Sequence, residues 1–234
     1  MTEALYGEDA YLKTCTANVV RADEQGIILD RTIFYAMGGG QPGDSGLLRL
    51  ADGREIVITD TRKSEHGIVH IPAPDSALPQ AGEQLTAEID WSRRYAHMRM
   101  HTCLHLLCAL VDAPVTGGSI GAEKGRLDFD VPNPILAKDE ITAELNRLIQ
   151  ENHPVSTRWI SEAELDAQPE LVKTMSVQPP RGSGRVRLLA IEDVDLQPCG
   201  GTHVRATGEI GPVRVRKIEK KSRMNRRVIV EFAS

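Results

Sequence analysis

Four side chains of this 234-residue chain have the types and spacing of a metal site. His101 and His105 lie four residues apart, the separation that stacks two imidazoles on one face of a helix. Cys199 and His203 repeat the spacing, but they enclose Gly200 and Gly201 and follow Pro198, which marks a tight loop. One thiolate and three imidazoles form a donor set for tetrahedral Zn²⁺, with bonds of about 2.3 Å to sulfur and about 2.0 Å to nitrogen. Alone, the histidine pair is more often two ordinary polar residues, and the Cys-Gly-Gly more often a turn beside a buried thiol. Together they predict one zinc, or a similar divalent metal, per chain.

The elements that must position these residues follow from pattern. Asp90 is a suitable N-cap for a helix over Trp91 to about Val111, with Met100, Leu104, Leu107 and Val111 as its apolar stripe. His97 reads as an ordinary helical histidine, and Arg93, Arg94 and Arg99 as facing phosphates or acidic neighbours. Residues 1–90 are β-rich: 15–21, 26–30, 46–50, 54–60 and 67–71 are short strand candidates, with a hairpin signal at Asp52-Gly53 and a Pro-rich passage at 72–79. That spacing predicts a small barrel. Between its second and third strands, Gly38-Gly39-Gly40-Gln41-Pro42-Gly43-Asp44 precedes Ser45-Gly46. This stretch matches neither a dinucleotide fingerprint nor a phosphate loop, and read alone it is a hairpin tip. Further on, Thr116 to Ile120 reads as a loop, 126–131 as a strand and 139–151 as an amphipathic helix. Residues 154–160 and 185–191 read as strands, Ser161 as a capping box, and 178–184 as a flexible loop. Helices and strands without strict alternation make residues 91–234 an α+β domain.

Net charge is −5, yet Arg214, Arg216, Lys217, Lys220, Lys221, Arg223, Arg226 and Arg227 crowd the C-terminal hairpin around one acid, Glu219. Such a segment suits a phosphate backbone or, alternatively, a solvated face. No apolar run approaches the roughly 20 residues that span a bilayer, and the N-terminus lacks a signal-peptide pattern. Cys15, Cys103, Cys108 and Cys199 read as reduced thiols, so a cytoplasmic location is expected, with no membrane and no obligate protein partner.

In order and spacing, three blocks resemble the AlaX family, free-standing relatives of the alanyl-tRNA synthetase editing domain. They are Gly38 to Asp44, His101-Thr102-Cys103-Leu104-His105-Leu106-Leu107, and Cys199-Gly200-Gly201-Thr202-His203. The chain departs from the synthetase form at Met37-Gly38 and at Cys103-Leu104, neither of which is a ligand. The resemblance implies a small N-terminal β-barrel followed by an α+β editing domain. It also implies zinc on His101, His105, Cys199 and His203, and trans hydrolysis of Ser-tRNA(Ala), often also Gly-tRNA(Ala), without aminoacylation. Substrate contacts are then expected from Gly38, Gly39, Gly40, Gln41, Gly200 and Gly201. RNA contacts are expected from Arg93, Arg94, Arg214, Arg216, Lys220, Lys221 and Arg226. Serine differs from alanine by one hydroxyl, so discrimination needs a polar partner for it; Gln41, Thr102, Thr116 and Ser119 are candidates. Four protein ligands ordinarily close a zinc site, so either one of them, Cys199 or His203, is displaced on binding, or, as favoured here, the metal orients the substrate beside an auxiliary water. The alternatives are a non-catalytic RNA-binding module with structural zinc, and a zinc hydrolase for another ester.

Overall fold

The protein, seen in a computed structural model, is described over residues 2–111, 113–131, 137–174 and 184–233. It divides into two compact units, Met1–Tyr95 and Ala96–Ser234, with the boundary inside a long helix.

The first unit contains β1 (Glu3–Ala4), β2 (Thr14–Asp23), β3 (Gly26–Leu29), β4 (Arg31–Thr32), β5 (Gly46–Leu50), β6 (Glu55–Ser64), β7 (Gly67–Pro72) and β8 (Gln84–Ile89). Six strands close a barrel in the order β2-β3-β7-β6-β5-β8, and β1 pairs with β4 outside it. Closure leaves no strand edge within the barrel wall. β8 was not among the expected strands, yet it completes the ring by pairing with both β2 and β5. Alternation fills the interior: Ala17 and Val19, Ile56 and Ile58, and Leu85, Ala87 and Ile89 all point inward and are buried. Each larger aliphatic side chain so buried contributes about 1.5–3 kcal/mol. The hairpin at Asp52-Gly53 forms as expected, with Gly53 at φ +89° and the Asp52 carboxylate accepting from the Arg54 amide at 3.0 Å.

The Gly-rich stretch is a turn built into this barrel. Gly38 and Gln41 exchange backbone hydrogen bonds of 3.1 and 3.0 Å, while Gly39 and Gly40 take φ values of +58° and +81°. Two consecutive positive φ angles are natural for glycine and costly for other residues. Gly43 is glycine for another reason: a Cβ there would collide with the Thr61 carbonyl oxygen.

In the second unit, the helix α1 (Trp91–Leu110) is followed by β9 (Val115–Ile120), β10 (Lys124–Asp130), α2 (Lys138–Gln150), β11 (Val155–Ser161), α3 (Glu162–Asp166), β12 (Arg185–Ile191), β13 (Asp195–Pro198), β14 (Val213–Lys220) and β15 (Asn225–Phe232). Two antiparallel sheets form, ordered β14-β15-β10-β9 and β11-β12-β13. Thr116 to Ile120 belongs to β9 and is no loop. Gly117 and Gly118 run beside β10, where a side chain at Gly118 would press on Leu127. Asn146 on α2 ties that helix to β14 by bonding both the amide and the carbonyl of Val213. Ser161 and Glu164 form the expected capping box. The loop expected over 178–184 lies outside the described residues except for Gly184.

Candidate metal centre

In α1, Asp90 caps the first turn through the Arg93 amide at 3.1 Å, and the expected stripe of Met100, Leu104, Leu107 and Val111 is buried. From Met98 to Cys108 nearly every side chain is buried, including His101, Thr102 and His105. Polar groups in such a place need partners. His101 and His105 find theirs in the loop after β13, where Cys199 and His203 converge on them. The four donor atoms lie within 4.8 Å of one another, with Cys199 Sγ 3.6 Å from His101 Nε2 and 3.2 Å from His203 Nε2. Metal bonds of 2.0–2.3 Å in a tetrahedron put donors roughly 3.3–3.7 Å apart, so this quartet is close to the spacing a bound cation imposes. His101, His105, Cys199 and His203 thus form a group that can hold a metal ion.

Neighbours fix the rings. His105 Nδ1 lies 3.1 Å from Asp195 Oδ2, and His203 Nδ1 lies 3.2 Å from Thr102 Oγ1. The Thr102 hydroxyl donates to the Met98 carbonyl at 3.0 Å, so in its contact with His203 it accepts, and it fixes the tautomer with the proton on Nδ1. Asp195, fully buried at its side chain, also takes Lys173 Nζ at 2.8 Å and Gln197 Nε2 at 2.6 Å. A carboxylate behind a histidine is the usual outer support of a metal ligand. The loop itself is held by Arg187, which donates to the carbonyls of Cys199 (3.2 Å) and Gly201 (2.7 Å), while the Gly201 amide points at Cys199 Sγ (3.4 Å).

Protonation follows the same geometry. Burial would raise the Cys199 thiol, but the surrounding imidazoles of His101 and His203 overcome it and hold its pKa well below the ordinary value. Burial and the neighbouring His101 push His203 down to about 3. Burial also acts to lower His105, yet its hydrogen bonds to Asp195 and Cys199 win and take it up to about 9. A thiolate and a neutral His203 are ligand states, and the extra positive charge on His105 is one that a metal cation replaces. Cys103, by contrast, is pushed up to about 12 by burial, so Cys199 differs in kind from its neighbour on α1.

Other expected site residues separate. Thr116 and Ser119 lie on β9; Thr116 Oγ1 donates to the Asp128 carbonyl and accepts from Asn225 Nδ2. Ser119 lines a groove of about 710 Å³ on the four-stranded sheet, with Lys124, Arg126, Arg216, Lys217 and Glu219, none of them in the quartet. Gly200 is exposed and Gly201 buried in the metal-type loop. In the barrel unit, Gly39 and Gly40 are exposed but Gln41 is buried.

Two of the basic residues, Arg94 and Arg226, need correction. Arg94 does not face phosphates: it is wholly buried, clamps Asp44 through Nε at 2.8 Å and Nη2, and donates to the carbonyls of Ala10 and Ile33. Arg93 donates to the Gly43 carbonyl, and Arg99 holds the Ile210 carbonyl beneath the Phe232 ring contact. Arg226 is buried and bonded to the carbonyls of Ser222 and Asn225. Arg214 and Arg216 share Glu231, whereas Lys217 and Lys221 share Glu219, whose carboxyl they lower to about 2. Among the described residues, Lys220 and Arg223 have no ion pair. Asp195, Gln197 and Lys173 were not anticipated as site residues. The signal for the first two is the alternation Asp195-x-Gln197 two residues ahead of Cys199, legible only once β13 is known.

Residues 186–229 match the family model for the threonyl and alanyl tRNA synthetase second additional domain, and residues 9–93 match that for class II (A) tRNA synthetases. The chain is 37% identical to the alanyl-tRNA editing protein AlaX-M of Methanosarcina acetivorans over 97% of its length and 98% of that protein. It is 34% identical to the AlaX-M of Saccharolobus solfataricus with the same coverage. Against the alanine–tRNA ligase of Pyrobaculum calidifontis it is 39% identical, covering 94% of this chain and 25% of the ligase. No helix among the described residues is long and apolar enough to cross a membrane.

Proposed function

Because this chain belongs to the AlaX family of alanyl-tRNA editing proteins, we propose that it hydrolyses mischarged Ser-tRNA(Ala) and Gly-tRNA(Ala) in trans, using one zinc. The observation that carries this reading is the quartet itself: four donors within 4.8 Å, two of them braced from behind by Asp195 and Thr102. Zinc held by His101, His105, Cys199 and His203 would supply positive charge to orient and polarise an ester carbonyl. The chain's own residues do the rest. Asp195 and Thr102 set two imidazole planes, Arg187 fixes the loop, and exposed Gly200 lets an acceptor end approach the backbone.

Discrimination against alanine requires a hydrogen bond to the serine hydroxyl, since a buried partner left unpaired costs about 1–3 kcal/mol. Thr102 is already committed on both sides of its hydroxyl. Phosphates of the tRNA body are assigned to Lys220 and Arg223, which are exposed at the end of the β14–β15 hairpin. Cytoplasmic translation is the setting this activity belongs to.

Purified protein incubated with Ser-, Gly- and Ala-tRNA(Ala) tests the proposal: the first two should be deacylated and the third spared. Equal rates on all three would sink the proofreading reading. A set of four protein donors, which ordinarily closes a zinc site, also favours a second reading, in which the metal is structural and the protein only binds tRNA. In that case no ester is cleaved while zinc and tRNA are both retained.

A further inference from the structure

The edge strand β11 exposes Ser156, Thr157, Arg158 and Trp159 in succession, with Trp159 half exposed at 50%. The Arg185 guanidinium lies 4.5 Å from the indole centroid. An aromatic ring in water beside an arginine is an arrangement that stacks nucleobases.

Register gives this ring a position relative to the metal centre. Trp159 stands opposite Arg187, and Leu189 stands opposite Gln197. Side chains alternate with period two, so Trp159, Arg187, Gln197 and Asp195 share one face of the β11-β12-β13 sheet. That face carries the Asp195 bond to His105, and on it Arg187 reaches the carbonyls of Cys199 and Gly201. The Cys199 amide in turn bonds the Arg187 carbonyl. Two strand spacings of about 4.8 Å therefore separate Trp159 from the Cys199 position. A span of about 10 Å is bridged by one nucleotide carrying an aminoacyl group, because a single ribose joins base to ester. β11 and β12 together carry three arginines and no acidic residue, which suits a polyanion.

We infer that Trp159, with Arg185, is the stacking platform for an unpaired nucleobase at the aminoacylated 3′ end of the RNA, placing its ester at the quartet. This rests on the proposed reaction for its choice of ligand, but its test does not need turnover.

The 234-residue chain has two tryptophans, so in a Trp91→Phe background the indole emission reports Trp159. The probe is an uncharged RNA hairpin with a single-stranded CCA end, compared with the same RNA carrying an abasic last nucleotide. We expect quenching by the first RNA and little by the second. Trp159→Ala should weaken binding of the first on the order of tenfold, leave the second unchanged, and be largely rescued by Trp159→Phe. Equal quenching by both RNAs, or equal weakening of both by Trp159→Ala, overturns the platform. So does a dimer that Trp159→Ala dissociates in sedimentation, since the occupant is then a second copy. Base-dependent quenching without any deacylation of Ser-tRNA(Ala) supports the platform and removes only the hydrolase reading. Deacylation without quenching does the reverse.

Discussion

Two buried carboxylates, one in each unit, show how similar ion pairs serve different ends. In the barrel unit, Asp44 receives Arg94 and the Tyr35 amide, and the guanidinium spends its remaining donors on the carbonyls of Ala10 and Ile33. The bonds of Arg94 all run to the chain itself, tying the Gly-rich stretch to the start of α1. In the second unit, Asp195 receives His105, but that ring turns its other nitrogen toward a thiolate and two more imidazoles. A buried ion pair alone marks nothing. What distinguishes a site is a partner with a second coordinating atom directed at further donors of the same kind.

The sharpest way to break the comparison is to remove one donor from each. His101→Ala should lose most of the stoichiometric zinc, measured by elemental analysis, and with it deacylation of Ser-tRNA(Ala). If metal content survives this change, the quartet is wrong. Arg94→Met should bind zinc normally and instead lose about 3–5 kcal/mol of stability in urea, because it strands the Asp44 charge in the interior. A loss below 1 kcal/mol would show that the pair is dispensable.

A third test uses a buried histidine that serves no metal. His70 lies in the barrel between the Ile27 carbonyl (3.0 Å from Nδ1) and the Thr32 hydroxyl (2.8 Å from Nε2), and burial takes its pKa down to about 4. The unfolded chain protonates near 6.5 while the folded state does not, so below 6.5 the unfolded state binds more protons. Stability is complete above about pH 6.5 and declines as pH falls toward 4, by roughly 3 kcal/mol. His70→Gln should flatten the difference between urea midpoints at pH 7 and pH 4.5. A wild-type profile as flat as the variant's would contradict the assignment.

The finest test is of the carboxylate behind His105. Asp195→Asn should lower zinc affinity about 10–100-fold by competition with a chelator, while Asp195→Glu recovers part of it. No change in affinity would make Asp195 a packing residue.

The metal quartet was legible in the sequence because two i,i+4 spacings are local facts, and the ligands need nothing else. Its supports were not. Asp195 and Gln197 sit on a four-residue strand whose existence depends on pairing with β12, a non-local fact. Likewise β8 reads weakly, since alanine at position 87 suits strands poorly, but the barrel cannot close without it. For Arg94, charge alone leaves phosphate and acidic neighbour equally open, and only the fold selects the buried acid Asp44. The glycines of Thr116 to Ile120 read as a loop, yet Gly118 packs closely against Leu127 within the strand β9.

The separation between the two halves of the quartet also sets a timetable for synthesis. Cys199 follows His101 by 98 residues, and a ribosome adding roughly 5–20 residues per second needs about 5–20 s to cover that distance. During that interval the nascent chain holds only the helical half of the quartet, His101 and His105, without the loop donors Cys199 and His203. Closing the ring costs loop entropy of about 4 kcal/mol, from the logarithm of its length. A metal captured by the quartet would therefore have to wait until Cys199 and His203 have been made, and a chain interrupted before β13 would lack half of the donors.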